Sequence, residues 1–320
     1  MDPRVTPIVF SLPLRDRFRG ITHREGVLLE GPSGWGEFAP FLEYDDAEAV
    51  PWWSAAHEAA RLGWPDPVRD HVPVNCIVPA VTPERAAEIV RASGCRTAKV
   101  KVAEQGQDLA DDLARVAAVR EALGPDGRIR VDANGGWGAT EAFVAVLALD
   151  DEVGLEYVEQ PCMRVEDLAR VRRETGVLVA ADESIRKADD PYRVAELEAA
   201  DIAVLKVAPL GGVRACLTIA EQIGLPIVVS SAVDSSVGLA AGLALAAALP
   251  ELPYACGLGT QALLEADVVA DVLAPVDGML AMRRPPIDPE LLEGVRADEE
   301  RTAWWLDRLA RVEALAGGPA

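Results

Sequence analysis

The chain has 320 residues, and half of them are hydrophobic, so it can form one large α/β domain with a smaller second one. Its formal net charge of −21 argues against nucleic acid as a partner, because no basic surface patch would persist in so negative a field. Residues 1–20 lack a secretory apolar segment, and the longest apolar run, Val237–Pro250, is too short to span a bilayer. We therefore expect a cytoplasmic protein without a membrane partner.

The five cysteines are odd in number and scattered, and no two of them form a Cys-x-x-Cys pair. This pattern favours a reducing compartment and thiols buried as small apolar side chains over a disulfide framework or a zinc site. They are Cys76, Cys95, Cys162, Cys216 and Cys256.

Residues 1–70 are predicted to form a capping domain. Val27–Glu30 is typical of a strand, and a turn at residues 31–34 leads into Trp35–Phe38, which indicates a hairpin. A helix is expected from Asp46 towards Arg61. Its apolar face comprises Trp52, Trp53 and Ala56.

Residues 71–277 alternate regularly between short apolar runs rich in Val and Ile and longer Ala-, Leu- and Arg-rich stretches. Thr82 is a predicted helix cap, and Asp108–Leu123 a second helix. Eight strand–helix units of this kind predict a (β/α)8-type barrel. A doubly wound sheet is the alternative, but no glycine-rich dinucleotide loop follows the first strand. The predicted strands are Val74–Val78, Ala98–Val102, Ile129–Val131, Leu155–Val158, Leu178–Ala181, Ile202–Val207, Ile227–Val229 and Tyr254–Cys256.

The C-terminal segment, residues 278–320, does not continue the alternation of predicted strands and helices. Arg283–Ile287 contains two prolines and is expected to be extended, whereas Trp304, Trp305 and Leu309 suggest a helix. We expect this segment to return to the capping domain.

Lysine is rare in the chain, with four residues against twenty-seven arginines among the 31 basic residues. Two of them, Lys99 and Lys101, lie two positions apart on the second barrel strand, so they share one face of it. Unlike arginine, a buried lysine can lose its proton and act as a general base. Lys206 lies on the sixth strand, and Lys187 is the fourth lysine.

Polar residues follow the barrel strands where an active site is expected. Asp132 and Asn134 end the third strand, Glu159 the fourth and Asp182 the fifth, while Ser230 and Ser231 end the seventh. Three carboxylates on adjacent strands need a compensating cation. Because the set contains only oxygen ligands, it selects a hard ion, Mg²⁺ or Mn²⁺.

This arrangement suits removal of a proton next to a substrate carboxylate. That proton is weakly acidic, so the enediolate must be neutralised as it forms, and the base needs a pKa near the working pH. Lys101 meets that need if Lys99 and the metal hold it partly neutral.

Together these residues resemble the enolase superfamily in its muconate-lactonising subgroup, in which a Lys-x-Lys pair precedes Asp, Glu, Asp and Lys on successive strands. The resemblance covers nearly the whole chain. It implies a metal held by Asp132, Glu159 and Asp182. It also implies Lys101 as the base and Lys206 as the lysine on the opposite side of the substrate. Lys99 has an electrostatic and positioning role.

Within the superfamily, the segment from Ser230 to Gly238 and the turn at Asp132–Asn134 are similar to the o-succinylbenzoate synthase family. That family dehydrates a succinyl-hydroxycyclohexadiene carboxylate in menaquinone biosynthesis. The resemblance places Ser230, Ser231 and Gly257 near the succinyl end of the substrate, and Asn134 is a further candidate for substrate binding.

Two other functions remain open. One is an N-succinylamino acid racemase or a related epimerase, since lysines on both sides of an enolate also suit racemisation. Dipeptide epimerases carry an Asp-x-Asp after strand eight, where this chain has Cys256–Thr260. The other is that of a non-catalytic metal-binding relative, which would need no base. The absence of histidine from the barrel beyond His71 argues against a mandelate-racemase-like mechanism.

The segment Leu12–Thr22 occupies the place of the superfamily's specificity loop and is brief here. It contains three arginines, which either meet substrate carboxylates or, as we favour, are surface charges. They are Arg15, Arg17 and Arg19.

Overall fold

The computed structural model describes residues 7–18, 20–187 and 191–317 of the chain. Its N-terminal part is an antiparallel sheet in the order β1-β2-β3. The strands are β1 (Ile8–Phe18), β2 (Ile21–Gly31) and β3 (Gly34–Phe38). The pairing of β2 with β3 confirms the expected hairpin, with Glu30 opposite Trp35. Strand β1 was not foreseen, because its polar tip, Arg15–Arg17, breaks the apolar alternation that identifies a strand.

The first helix, α1 (Val50–His57), continues as a π-helical turn, Glu58–Leu62. The expected start at Asp46 was therefore four residues too early. Pro51 lies in the first turn of α1, which is where proline is tolerated, because a backbone N–H has no partner there. The predicted apolar face is buried: Trp52, Trp53 and Ala56.

Eight parallel strands follow, and the last of them pairs with the first, so the sheet closes into the expected barrel. Its strands are buried in the middle of the molecule. They are β4 (His71–Val78), β5 (Thr97–Lys101), β6 (Arg128–Asp132), β7 (Leu155–Glu159), β8 (Val179–Ala181), β9 (Ile202–Lys206), β10 (Ile227–Ser230) and β11 (Cys256–Gly259).

Helices connect the barrel strands and cover them. The Thr82 side chain caps α2 and Asp108 caps α3, as the sequence indicated. The expected eighth helix is absent from the described residues that follow β11, where a 3₁₀ turn, Thr260–Leu263, takes its place. The helices are α2 (Pro83–Ser93), α3 (Leu109–Leu123), α4 (Ala139–Val153), α5 (Val165–Thr175), α6 (Glu183–Arg186), α7 (Arg193–Glu196), α8 (Val213–Ile223) and α9 (Ser236–Ala248).

The eighth strand, β11, lies two to three residues later than the predicted Tyr254–Cys256. The sequence pattern did not identify these residues as a strand because two of them are glycines, and glycine is unfavourable in strands. They are needed for close packing: a Cβ on Gly257 would lie 2.5 Å from Ser230 Oγ, and one on Gly259 would lie 2.4 Å from the Asn75 carbonyl oxygen.

The C-terminal segment contacts both parts of the molecule. Strand β12 (Met279–Ala281) pairs with the barrel strand β4, and the short helix α10 (Pro289–Gly294) follows. Helix α11 (Glu299–Leu315) packs on α1, β1 and β2. There Trp305 is buried edge-on against Phe38. The domain boundaries at residues 70 and 277 stay predictions.

All five cysteines are free and buried, as expected. Burial raises the pKa of the Cys76 thiol to about 12 and shifts the others upward as well, so these thiols are held in their unreactive form. Within residues 7–18, 20–187 and 191–317, no helix combines the length and apolar character needed to cross a membrane.

Candidate active site at the barrel mouth

The carboxyl ends of neighbouring strands bring the predicted site residues together. Lys101 is opposite Asp132 in the β5–β6 pairing, and Asp132 is opposite Glu159 in the β6–β7 pairing. Lys206 is opposite Ser230 where β9 meets β10. Because parallel strands end at the same rim, these side chains converge at one mouth of the barrel.

Lys99 is buried and ion-paired. Its Nζ donates to both carboxylate oxygens of Glu159, at 2.8 and 2.9 Å, and lies 3.2 Å from Asp132 Oδ2. Burial alone would lower the pKa of Lys99, but the carboxylates of Glu159 and Asp132 outweigh it and raise that pKa. Lys99 is therefore a fixed cation at neutral pH.

Lys101 lies on the same face of β5 in a different environment. Its Nζ donates to Asp132 Oδ2 and to Asn134 Oδ1, both at 2.5 Å, and lies 5.4 Å from the centre of the Phe18 ring. Burial lowers the pKa of Lys101, and the charge of Lys99 lowers it further, against the opposing effect of Asp132. Lys101 is thus the lysine of this pair that gives up its proton more readily.

Asn134 links Lys101 to Glu183, at the start of α6. Its φ of 46° is in the left-handed region, which asparagine adopts more easily than most residues. In this conformation its backbone N–H donates to Asp132 Oδ1 at 3.0 Å, and its Nδ2 donates to Glu183 Oε1 at 3.2 Å.

Lys206 approaches from the other side of the mouth. Its Nζ donates to Asp182 Oδ2 at 2.5 Å, while Arg186 Nε donates to Asp182 Oδ1 at 2.9 Å. Burial would raise the pKa of Asp182, but Arg186 and Lys206 together hold it well below its usual range. Asp182 is therefore ionised across the physiological range.

The turn that carries Asp182 is held by Gln160. Gln160 Oε1 accepts from the backbone N–H groups of Asp182 and Ser184, at 2.9 and 3.2 Å. Its Nε2 donates to Ser184 Oγ at 2.7 Å. The Glu159–Pro161 turn after β7 and the Asp182–Ser184 turn after β8 are therefore one connected unit.

The three carboxylates fit a metal in their chemistry. Asp132, Glu159 and Asp182 are almost completely buried and offer only oxygen atoms. Burial, followed by the neighbouring Asp132 carboxylate, raises the pKa of Glu159 to about 7, against the opposing charge of Lys99. In the conformation described, each carboxylate is directed at a lysine or an arginine, and no group of three His, Cys, Asp or Glu side chains among the described residues surrounds a metal position.

A small, partly open cavity of about 30 Å³ joins the two sides. Lys101 and Lys206 both line it, with Phe18 and Phe41 from the N-terminal part of the chain. So small a cavity holds few water molecules, and this scarcity of water strengthens electrostatic interactions inside it. The remaining lining residues are Ile77, Lys99, Asp132, Asn134, Ser230, Ser231, Ala232, Val233 and Thr260.

The predicted substrate-binding residues lie together. Ser230 Oγ and Ser231 Oγ are each 3.4 Å from the Gly257 carbonyl oxygen, and Ser231 Oγ is 2.6 Å from Thr260 Oγ1. Both serines line the cavity, whereas Gly257 lies behind them. Their contact with substrate stays a prediction.

Two of the three predicted surface arginines, Arg15 and Arg17, do not line the cavity. Arg15 and Arg17 are exposed, and Asp16 between them pairs with Arg85 at 3.2 Å. Arg19 lies outside the described residues. The segment does contribute Phe18, which sequence reasoning did not select.

Sequence reasoning also missed Arg186, Phe41 and Thr260. Arg186 had a detectable signal, because it lies one helical turn after Asp182 and a side chain there returns to the same face. Phe41 had none, since it comes from an irregular turn far away in sequence.

The fold and the site define a member of the enolase superfamily. Residues 82–286 match the family described as Enolase C-terminal domain-like, and residues 9–60 match Enolase N-terminal domain-like. The L-Ala-D/L-Glu epimerase from Bacillus subtilis has the same fold, with a TM-score of 0.77, 24% identity and coverage of 89% of this chain and 97% of that chain. An N-succinyl Arg/Lys racemase from Bacillus cereus ATCC 14579 superposes with a TM-score of 0.76 at 22% identity, covering 92% and 98%.

Sequence relatives narrow the assignment. An o-succinylbenzoate synthase from Thermobifida fusca (strain YX) is 61% identical over 310 residues, which is 97% of this chain and 96% of the relative. One from Mycolicibacterium smegmatis (strain ATCC 700084 / mc(2)155) is 57% identical over 308 residues, 96% of this chain and 95% of the relative. The chain belongs to the o-succinylbenzoate synthase family, whose members are metal-dependent enzymes.

Proposed function

We propose that the protein dehydrates 2-succinyl-6-hydroxy-2,4-cyclohexadiene-1-carboxylate to o-succinylbenzoate, a step of menaquinone biosynthesis in the cytoplasm. The observation that carries this proposal is that two lysines, Lys101 and Lys206, line one cavity with Asp132. The name shared by the family's relatives identifies the product. The partner is a small carboxylate, with no part for nucleic acid or membrane.

Lys101 is the base. In its neutral form it removes the proton next to the ring carboxylate, which breaks the C–H bond and leaves Lys101 protonated. The ammonium then gives its proton to the leaving hydroxyl on the same side of the ring, so that the C–O bond breaks, water departs and the ring becomes aromatic. Lys99 stays protonated throughout and keeps the pKa of Lys101 low.

The other residues hold the substrate and stabilise charge. Lys206 contributes its positive charge from the opposite side without moving a proton. Asn134 fixes the Lys101 ammonium through its Oδ1. In this proposal Ser230 and Ser231, which line the cavity, bind the succinyl carboxylate, and Gly257 supports them through its carbonyl oxygen.

A divalent cation, which we take to be Mg²⁺ with Mn²⁺ as a substitute, would be held by Asp132, Glu159 and Asp182 and would supply charge to stabilise the enediolate. The test is removal of metal by a chelator, followed by re-addition of either ion while aromatic product is measured. We expect activity to vanish and return, and Glu159→Gln and Asp182→Asn to bind the ion far more weakly.

Asp112→Asn is a matched control for these substitutions. Asp112 is an equally buried carboxylate that is hydrogen-bonded to Arg115 and to the Ala103 N–H, away from the cavity. The Asp112→Asn substitution should leave metal binding unchanged. Full turnover in excess chelator would contradict the proposed metal site.

A second candidate is racemisation of N-succinylamino acids. It is favoured by the position of Lys206 across the cavity from Lys101, because racemisation needs a proton-transferring group on each side. We expect this activity to be weak beside the dehydration. A kcat/KM for racemisation well above that for dehydration would make racemisation, and not dehydration, the main activity.

A further inference from the structure

Arg186 makes contacts that an ordinary surface arginine would not. It is the last residue of α6, and its side chain is only 3% exposed. Its Nε donates to Asp182 Oδ1 at 2.9 Å, its Nη2 donates to Glu183 Oε1, and its Nη1 donates to Tyr44 Oη at 2.6 Å. The guanidinium fork therefore joins two adjacent carboxylates of the barrel mouth to a tyrosine of the N-terminal part.

Tyr44 belongs to a turn that also forms part of the cavity wall. Its backbone N–H donates to the Phe41 carbonyl at 3.2 Å, and Phe41 lines the cavity. Arg308 of α11 holds the same turn from behind, by donating to the carbonyls of Phe41 and Tyr44. The turn thus lies between two buried arginines, of which only Arg186 touches the carboxylates.

Asp182 has its two oxygens divided between two cations. Lys206 binds Oδ2 and Arg186 binds Oδ1, which fixes the plane of the carboxylate. Residues that hydrogen-bond a metal-ligating side chain set its orientation, and their loss typically lowers metal affinity or activity about 10–100-fold.

We propose that Arg186 is a positioning residue, which orients the Asp182 carboxylate for metal binding and connects it, through Tyr44, to the turn that carries Phe41 over the cavity. This inference rests on the metal site of the proposed function. It makes the N-terminal part of the chain a contributor to metal affinity, although none of its residues is a ligand.

The alternative is that Arg186 acts only as a counter-ion for the buried carboxylates. A lysine would then serve as well, because it carries the same charge. A lysine ammonium lacks the planar fork, however, and cannot keep three acceptors in one plane. Arg186→Lys therefore separates orientation from charge.

The experiment is a titration of the full-length protein with Mn²⁺, in which free Mn²⁺ is followed by electron paramagnetic resonance. We expect Arg186→Lys to weaken Mn²⁺ binding about tenfold or more. Tyr44→Phe, which keeps the ring and removes the hydroxyl that accepts from Arg186, should weaken binding in the same direction by a smaller factor. Circular dichroism without metal establishes that each variant is folded.

Arg308→Lys is the matched control, since Arg308 holds the same turn and its carboxylate neighbour is Asp46, away from the carboxylates of the barrel mouth. It should bind Mn²⁺ as the wild type does. In assays, Arg186→Lys should raise the Mg²⁺ concentration for half-maximal activity about tenfold while keeping most of kcat at saturating Mg²⁺, a separation that general misfolding would not give.

Two results would overturn the inference: wild-type affinity in Arg186→Lys, or an equal loss in Arg308→Lys. In either case the proposed function is unaffected as long as the wild-type protein binds Mn²⁺. If the wild type itself does not bind Mn²⁺, the metal site of the proposed function fails and this inference fails with it.

Discussion

The two sides of the cavity are supported differently. On the Lys101 side, the ion pairs and hydrogen bonds of Lys99 and Lys101 stay within the barrel, between β5, β6 and β7 and the turns that follow them. The N-terminal part comes near through the Phe18 ring, whose centre lies 5.4 Å from Lys101 Nζ. On the Lys206 side, Arg186 reaches Tyr44 of the N-terminal part. Glu37 of β3 also accepts hydrogen bonds from Ser235 and Gly238, at the start of the helix that follows β10.

This difference indicates that the two sides of the cavity have separate roles. The base needs a fixed pKa and therefore a rigid environment, which the strands of one barrel segment provide. The opposite side needs to match a substrate, and it is attached to the N-terminal part, which also supplies Phe18 and Phe41 to the cavity. Changes to Lys99 and Lys101 should therefore affect kcat, whereas changes to Arg186 and Tyr44 should act mainly on metal binding.

The largest effect is expected from Lys101→Ala, which deletes the base. We predict that kcat for dehydration falls by at least about 10³-fold, the upper range for loss of a general base, while the affinity for metal changes little. Lys187→Ala is the matched control, since Lys187 is the one lysine placed outside the cavity, 4.3 Å from the centre of the Tyr44 ring. Near-normal turnover by Lys101→Ala would show that Lys101 is not the base.

Lys99→Ala should have an intermediate effect. Without the Lys99 charge, the pKa of Lys101 should rise, because Lys99 is one of the causes that lower it. We predict a kcat that is about 10–100-fold lower and a pH–rate profile that moves to higher pH. An unchanged profile would mean that burial alone sets the pKa of Lys101.

The smallest effect concerns stability on the Lys206 side. Burial, followed by the Asp234 carboxylate, raises the pKa of Glu37 to about 8, with Ser235 and Arg24 opposing. The folded protein therefore binds this proton more tightly than the unfolded chain, so the free energy of unfolding falls as pH rises from about 4.5 to about 8.

Glu37→Gln should remove this share of the pH dependence, which is at most about 1.4 kcal/mol per pH unit. Urea unfolding of both proteins between pH 5 and pH 8 measures it. The wild type should lose stability relative to the variant as pH rises. Parallel curves would show that Glu37 does not titrate in this range.

Much of the fold could be predicted from the sequence because the barrel strands are buried on both faces. Continuous apolar runs such as Ile202–Lys206 have few other interpretations. The failures have physical causes. Strand β11 is half glycine, which a pattern of apolar residues does not detect, and α1 begins at Val50, next to Pro51, rather than at Asp46.

For the site, the sequence indicated which residues meet but not how they pair. Strand register places Lys101, Asp132 and Glu159 at one rim, and this follows from their position at strand ends. The preference of Lys99 for Glu159, and the sharing of Asp182 by Lys206 and Arg186, depend on distances that only the folded chain sets. The roles of these residues in catalysis stay predictions.

The most direct test of the division between the two sides compares Lys101→Arg with Lys206→Arg. Both variants keep a positive charge, and neither can exchange a proton at neutral pH, because the guanidinium stays protonated. With each protein saturated with Mg²⁺, kcat for dehydration is measured for both. The account predicts that Lys206→Arg keeps a measurable part of the activity while Lys101→Arg loses it. Equal loss in both variants, or a greater loss in Lys206→Arg, would contradict it.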